Sequence, residues 1–364
     1  MTTERYEHDA APALYPFPEG WYFVASRAAI ERRELIGKTW LGERIVAWCD
    51  ADGRICVAGA ACPHLGSDLG PETGGRVRDG RLVCPFHGYE YDATGQCVAT
   101  PYAPPPRAAR LDRLATREFE GLVFAWHGFG GRAPRWDLPA PADKAADWGT
   151  PEFWSVRFRG HPQETTENSV DLAHLRYVHG YDAVSGVGPV EVEGAWLRSA
   201  FDFKRTQTFA GIGVFAYDVS AVTHVHGLGY SLVEVREHAI GMDTRLWVLA
   251  TPVDDEFVEL TLVSRIRRIL RPKRPVVGMR FLPPGLRTRL MNKIVIAAQQ
   301  RDVMQDVAIW GRKRYRPRPY LCRSDGEIGL YRRWCAQFYP DERAESIVDR
   351  TTTSPQPGLR ATKQ

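Results

Sequence analysis

Nowhere in this chain of 364 residues is there a run of about 18 apolar residues, the length a membrane-spanning helix needs. The opening stretch MTTERYEHDAAPALYPFPEG also lacks the basic, apolar and small-residue order of a signal peptide, so the expectation is a cytoplasmic protein without a transmembrane segment. Charge of one sign is lacking too: 48 Lys and Arg stand against 44 Asp and Glu, a net charge of +4. That is too little for a binder resting on many phosphate contacts, which argues against a nucleic-acid partner. There is no internal repeat, and no glycine-rich dinucleotide fingerprint lies between a strand and a helix, so a reductase would have to be another protein. Cysteine is scarce. Seven residues, an odd number spread through a long chain, exclude a secreted disulfide framework.

What is present is a folded composition, 44% hydrophobic, with its cysteines unevenly placed. Cys49, Cys56, Cys62, Cys84 and Cys97 all fall within the first hundred residues. From about Trp21 to Trp126, short apolar runs (WYFVAS, RIVAWC, RICVAG, GLVFAWHG) are punctuated by Asp and Gly turns, the pattern of a small all-β domain. Arg132 to Thr150 is rich in proline and alanine and reads as a linker. Beyond it PEFWSVRFRGH reads as a strand and ETTENSVDLAHLRYVHG as a helix. Long β-rich segments follow, and then one long helix from about Pro283 to near Gly311. The expectation is an α+β chain with an N-terminal all-β domain (15–135) and a second domain (150–340) of the helix-grip kind, a curved antiparallel sheet holding a long C-terminal helix. A polar tail (341–364) ends it.

Two loops carry the first constellation, Cys62-Pro63-His64 and, after nineteen intervening residues, Cys84-Pro85-Phe86-His87. Two thiolates and two imidazoles interleaved as C-x-H and C-x-x-H match the ligands of a Rieske 2Fe-2S centre, in which cysteines bind one iron and histidines the other. A single zinc ion is the alternative, though structural zinc sites usually space paired ligands by two to four residues. The other five cysteines, including Cys322 and Cys335, have no histidine at ligand spacing and read as packing residues. His127 reads as a domain-edge residue. The run CPH…CPFHGYEYDATG resembles the Rieske domain of the Rieske non-heme iron oxygenases, with a slightly longer gap between the loops than is usual there.

The second constellation is Glu167-Asn168-Ser169-Val170-Asp171-Leu172-Ala173-His174-Leu175-Arg176-Tyr177-Val178-His179-Gly180. His174 and His179 are five apart, about 140° around an ideal helix, so they share a metal only if the helix ends or bulges between them. Two imidazoles and one carboxylate make the facial triad of ferrous oxygenases, with positions left open for dioxygen. Asp302 and Asp306 lie one turn apart on the long helix, and periodicity does not choose between them. The pattern E-N-x-x-D-x-x-H-x-x-x-x-H resembles the mononuclear iron motif of the Rieske oxygenases. The run DVAIW followed by KRY and RRWCAQFY is similar to the cholesterol 7-desaturase branch and to aminopyrrolnitrin oxygenase, with 3-ketosteroid 9α-hydroxylases as more distant relatives.

That resemblance implies Asp306 as third ligand, with Asp302 as fallback. It implies Asp171 as a bridging acid between His174 and a Rieske histidine, His87, of a neighbouring chain, and Asn168 as a residue just outside the ligands. It further implies a homotrimeric terminal oxygenase fed by a ferredoxin or an NAD(P)H-dependent reductase. Such an enzyme would use O2 at a mononuclear Fe(II) to hydroxylate or desaturate a bulky apolar, sterol-like substrate. Oxidation of an arylamine or natural-product intermediate is the alternative, and a non-catalytic redox-active lipid-binding protein is the reading from another class. The basic run Arg265 to Arg274 suits docking of an acidic donor or anionic lipid, or simply a solvated face. His224 and His226, alternate residues of a strand, line the substrate cavity or face solvent.

Overall fold

The computed structural model describes residues 14–141, 145–208, 214–270, 276–323 and 325–340. The polar tail 341–364 and residues 271–274 of the basic run lie outside them. Within the N-terminal part, β1 (Gly20–Ser26) leads through α1 (Arg27–Arg33) into β2 (Leu35–Trp40), β3 (Glu43–Cys49) and β4 (Ile55–Gly59). Then come β5 (Arg76–Arg78), β6 (Arg81–Val83), β7 (Glu90–Tyr91), β8 (Cys97–Ala99), β9 (Thr116–Phe119) and β10 (Leu122–His127). They form three small antiparallel sheets in the orders β2-β3-β4, β5-β6-β7-β8 and β1-β10-β9. Trp48, Leu69, Leu82 and Tyr91, all fully buried, pack between the first two sheets and fix the loops that carry Cys62, His64, Cys84 and His87.

The C-terminal part opens with β11 (Glu152–Arg159), the short α2 (Pro162–Thr166) and α3 (Leu172–Tyr177), then β12 (Asp182–Gly186) and β13 (Glu191–Glu193). Long strands follow: β14 (Trp196–Thr208), β15 (Val214–His226), β16 (Ser231–Glu237), β17 (Met242–Pro252) and β18 (Phe257–Ile266). The helices α4 (Pro284–Trp310) and α5 (Ile328–Cys335) complete it. The sheet runs β11-β18-β17-β16-β15-β14-β12 and is antiparallel throughout. In β14 and β15 burial alternates, with Phe201, Phe203, Val219 and Ala221 inside and Asp202, Lys204 and Asp218 outside. In β17 and β18 it hardly alternates. One face of these central strands meets α4, and the other meets Trp21, Phe23, Phe124 and Trp126 of the N-terminal sheet.

The long helix is held by polar side chains on its buried face. Asn292 accepts from Ser264 Oγ (2.7 Å) and donates to the carbonyls of Ser264 (2.8 Å) and Thr150 (3.0 Å), while Arg287 donates to the carbonyls of Ile269 (2.7 Å) and Leu282 (2.8 Å). These bonds pin its N-terminal half to the end of the sheet. The proline-rich stretch after Arg132 is no free linker: Trp136 accepts from Trp21 Nε1 through its carbonyl (2.8 Å), and Leu138 is fully buried. The helix expected over ETTENSVDLAHLRYVHG is broken in two by a 3-10 turn at Glu167–Ser169.

Candidate metal centres

The loops CPHLGS and CPFHGY fold alike. In the first, Gly66 N–H donates to the Cys62 carbonyl (2.8 Å) and Cys62 N–H to the Ser67 carbonyl (2.9 Å); in the second, Gly88 N–H donates to Cys84 (3.1 Å) and Cys84 N–H to Tyr89 (2.8 Å). The fifth residue of each is a glycine with φ of 77° and 67°, a conformation that explains the choice of residue. Both thiols are buried. The His64 and His87 rings stand edge to face with centroids 4.8 Å apart, and His64 stacks on Tyr89 at 4.4 Å. Nδ1 of each histidine is buried with no hydrogen-bond partner among the described residues. Two orphaned imidazole nitrogens near two buried thiols are costly unless a metal satisfies them, and the donor set is that of a mixed-ligand iron-sulfur cluster. The Tyr91 hydroxyl lies 3.0 Å from Cys62 Sγ. Among the remaining cysteines, Cys56, Cys97 and Cys335 are buried and Cys49 half-buried, but Cys322 is exposed and so is not a packing residue.

In the second site the helix does end between its histidines. The Asp171 carboxylate caps α3, accepting from the N–H groups of Ala173 (3.0 Å) and His174 (3.3 Å). At the other end, Gly180 (φ 67°) donates to the Arg176 carbonyl (3.1 Å) as a left-handed helix cap, and Tyr181 donates to that of Leu175 (3.0 Å), which swings His179 back toward His174. The ligand atoms of His174, His179 and Asp306 all come within 4.8 Å of one another. His179 Nε2 is 3.4 Å from Asp306 Oδ2, and its Nδ1 donates to Gln305 Oε1 (3.0 Å). His174 Nδ1 donates to the Asp171 carbonyl. In both rings this leaves Nε2 for a metal.

The structure decides three details that were open or expected otherwise. The hydrogen bond between His174 and Asp171 goes to the main-chain carbonyl, with the carboxylate Oδ2 4.0 Å away, because the carboxylate is engaged in capping. Asp302 is not with the histidines: its Oδ2 accepts from Tyr181 OH (2.8 Å) and Arg205 Nη2 (2.8 Å). His224 and His226 do not reach the cavity beside the triad; they line a separate cleft on the other face of the sheet with Trp196 and Glu234. His127 packs between Phe17 and Trp40. Asn168 does border the triad's cavity.

Burial pushes His174 below its ordinary pKa, which favours the neutral imidazole that binds metal. Burial would lower His179 as well, but hydrogen bonds to Asp306 and Gln305 hold it up, as an acidic site short of a cation would. Beside the triad lies a cavity walled by Phe201, Phe203, Val219, Val233, Leu246 and Val248 from the sheet, and by α4 from Val295 to Trp310. That stretch of helix is about 22 Å long at about 1.5 Å per residue.

Residues 125–339 match the model of the 3-ketosteroid 9alpha-hydroxylase C-terminal domain, and residues 20–119 that of the Rieske [2Fe-2S] domain. The chain belongs to the Rieske oxygenases, with the 3-ketosteroid 9alpha-hydroxylase type of C-terminal domain. Cholesterol 7-desaturase of Ciona intestinalis is 27% identical over 89% of this chain and 69% of its own. The oxygenase component of a 3-ketosteroid-9-alpha-monooxygenase from Rhodococcus rhodochrous is 24% identical over 89% of this chain and 84% of its own. The solved dicamba monooxygenase bound to 3,6-dichlorosalicylic acid shares the fold, with a TM-score of 0.69 at 18% identity over 92% of this chain and 99% of its own. This Rieske oxygenase is therefore an oxygen-dependent oxidoreductase, the terminal component of its system, and it takes a Rieske 2Fe-2S cluster and a mononuclear iron. The donors at both sites fit those groups. Among the described residues no helix is long and apolar enough to cross a membrane.

Sequence reasoning missed Gln305, Arg205, Tyr181 and Glu237, which border the iron site or its cavity. Gln305 had a signal in its position beside Asp306. Tyr181 directly follows the second histidine's HG pair, while Arg205 and Glu237 come from strands with no motif of their own and are placed by the sheet register.

Proposed function

We propose that this Rieske oxygenase hydroxylates or desaturates a bulky, elongated, apolar molecule of the sterol kind. The single observation that carries this reading is the apolar wall of the cavity that has the triad on its border. Relatives named for cholesterol and 3-ketosteroid chemistry agree with it. In this reading Cys62, His64, Cys84 and His87 hold the cluster, and His174, His179 and Asp306 hold the iron. When bound, these groups supply single electrons and a ferrous site at which dioxygen is reduced beside the substrate. The chain's own part is to aim two imidazoles by fixing Nδ1, and to keep water from the reacting carbon with an apolar wall.

The proposal includes a head-to-tail homotrimer in the cytoplasm, with residues 15–135 and 150–340 as its two domains and a ferredoxin or NAD(P)H-dependent reductase as donor. Leu65, Phe86 and Tyr102 are 67%, 63% and 61% exposed around the cluster loops, and Tyr177, near Asp171, is 84% exposed. Surfaces so apolar at both ends of the electron path favour their covering one another in neighbouring copies. Asp171 Oδ2, free of the capping bonds, would then receive the neighbour's His87, and Asn168 would border the iron from the cavity side. The test is a product screen with a surrogate reductase and O2 across sterols, arylamines and polycyclic metabolites. Oxidised sterol as the main product supports the reading; turnover confined to arylamines refutes it.

A further inference from the structure

The inner face of β16 presents Ser231, Val233, Val235 and Glu237 in alternation, so an apolar stripe ends in a carboxyl group. Register sets Val235 opposite Thr244 and Glu237 opposite Met242, which makes Thr244 the diagonal neighbour of Glu237 on the same face. Both residues line the cavity, and they are only 7% and 4% exposed. Among the described residues the buried Thr244 hydroxyl has no hydrogen-bond partner, while Glu237, 7% exposed, feels the charge of Arg205 without a hydrogen bond to it. A carboxyl and a hydroxyl left unpaired in an apolar wall cost stability, and packing alone gives no reason to keep them.

The obvious partner is Arg205, also on the cavity wall, but its guanidinium is committed to Asp302 at 2.8 Å. Arg205 lowers the Glu237 carboxyl by its charge alone, while burial, the larger influence, raises it to about 7. Near neutrality that group exists both as a donor and as an acceptor. With Asp302 paired to Arg205, no described residue at this end of the cavity offers a spare positive charge for a substrate carboxylate. Glu237 borders the pocket formed with Val295 and Ala298 of α4. From Val295 to Asp306 the helix advances about 16 Å.

We propose that Glu237 and Thr244 form a subsite for an uncharged oxygen, a hydroxyl or a ketone, on the end of the substrate remote from the carbon that is oxidised. The inference rests on the sterol-like reading above and deepens it. The substrate is an apolar body with a neutral polar head, and the head sets which carbon lies at the iron. Glu237 is a positioning residue, since it acts by holding the molecule in register.

The experiment measures binding to the holoenzyme of two probes presented in cyclodextrin, a steroid with one terminal hydroxyl and its parent steroid hydrocarbon. Wild type should prefer the alcohol by about tenfold, the worth of one good hydrogen bond. Glu237→Leu should erase that preference while the cluster spectrum is unchanged, and Glu237→Gln should restore part of it. A Glu237→Leu protein that keeps the full preference overturns the proposal. Should the variant lose its cluster, Thr244→Val is read in the same way, with a weakened preference expected and an unchanged one counting against the subsite. If neither steroid binds wild type, the sterol reading fails by itself. A polycyclic phenol and its parent arene then decide the subsite: a preference abolished by Glu237→Leu sustains it, and no preference, or one that persists, overturns it.

Discussion

Replacing Arg332 with methionine should release the segment proposed to bind iron while leaving the cluster in place. Glu167, the residue before Asn168, is buried in the turn leading into α3, and Arg332 of α5 grips its carboxylate through Nε (2.6 Å) and Nη2 (3.2 Å). The two side chains are 8% and 5% exposed. Burial would raise the Glu167 carboxyl, yet the hydrogen bonds and charge of Arg332, with Lys313 at 3.2 Å, hold it below its ordinary value. Removing one partner of a buried pair costs about 3–5 kcal/mol. Two features put this case at the low end. Lys313 remains, and the carboxyl can escape by taking a proton, which at pH 7 costs about 3.7 kcal/mol for a group of ordinary pKa. A loss of about 3 kcal/mol raises the population of the opened segment by about 150-fold. Hydrogen exchange in residues 161–180 should accelerate by that order, and mononuclear iron should wash out on desalting with cluster absorption retained. Glu167→Gln combined with Arg332→Met should recover much of the loss, because no charge is then left buried. Unchanged exchange and full iron in Arg332→Met would refute the argument.

Other outcomes follow from single contacts. Asp306→Ala should lower the iron content from about three to about two per chain and abolish turnover with cluster absorption intact, whereas Asp302→Ala should keep the iron. Metal analysis separates these, and loss of iron from Asp302→Ala alone would reverse the assignment. Tyr91→Phe removes the hydroxyl beside Cys62 Sγ. At about 0.5–1.5 kcal/mol for a hydrogen bond and about 59 mV per 1.4 kcal/mol for one electron, the cluster potential should fall by about 20–65 mV in voltammetry; a rise would contradict it. Finally, His161 donates from Nε2 to the Tyr15 carbonyl (2.9 Å) and accepts at Nδ1 from Gln163 (3.1 Å), and burial lowers its pKa to about 4. Below about pH 6.5 the unfolded chain takes up a proton that the folded one refuses, so stability falls between pH 6.5 and about 4, by on the order of 3 kcal/mol. His161→Gln should flatten that part of the denaturation profile, and an unaltered acid limb would count against it.

Residue types at fixed spacing told most where the chemistry is local. CPH and CPFH each sit in one loop, whose glycine and proline positions belong to the loop itself, so the candidate cluster donors were legible before any fold was known. His174 and His179 were legible for the same reason, given a helix end between them, and Gly180 marked that end. The α+β class and the long helix followed from periods of two and 3.6. The choice of Asp306 over Asp302 was different. Both lie on one face of α4, and only Tyr181 and Arg205, brought in from distant segments, show that Asp302 is already occupied.

The same limit applied to the cavity. His224 and His226 share a strand face, but alternation says nothing about which face turns inward, and that was decided when the N-terminal sheet packed on their side. Glu237, Thr244 and Arg205 carry no motif, and they became neighbours through strand register alone. The sequence by itself determined the two kinds of metal site, because coordination is a matter of residue type and short spacing. Only the tertiary structure decided which acid stands with the histidines, which face lines the cavity and where its polar end lies, because each depends on contacts between segments far apart in the chain.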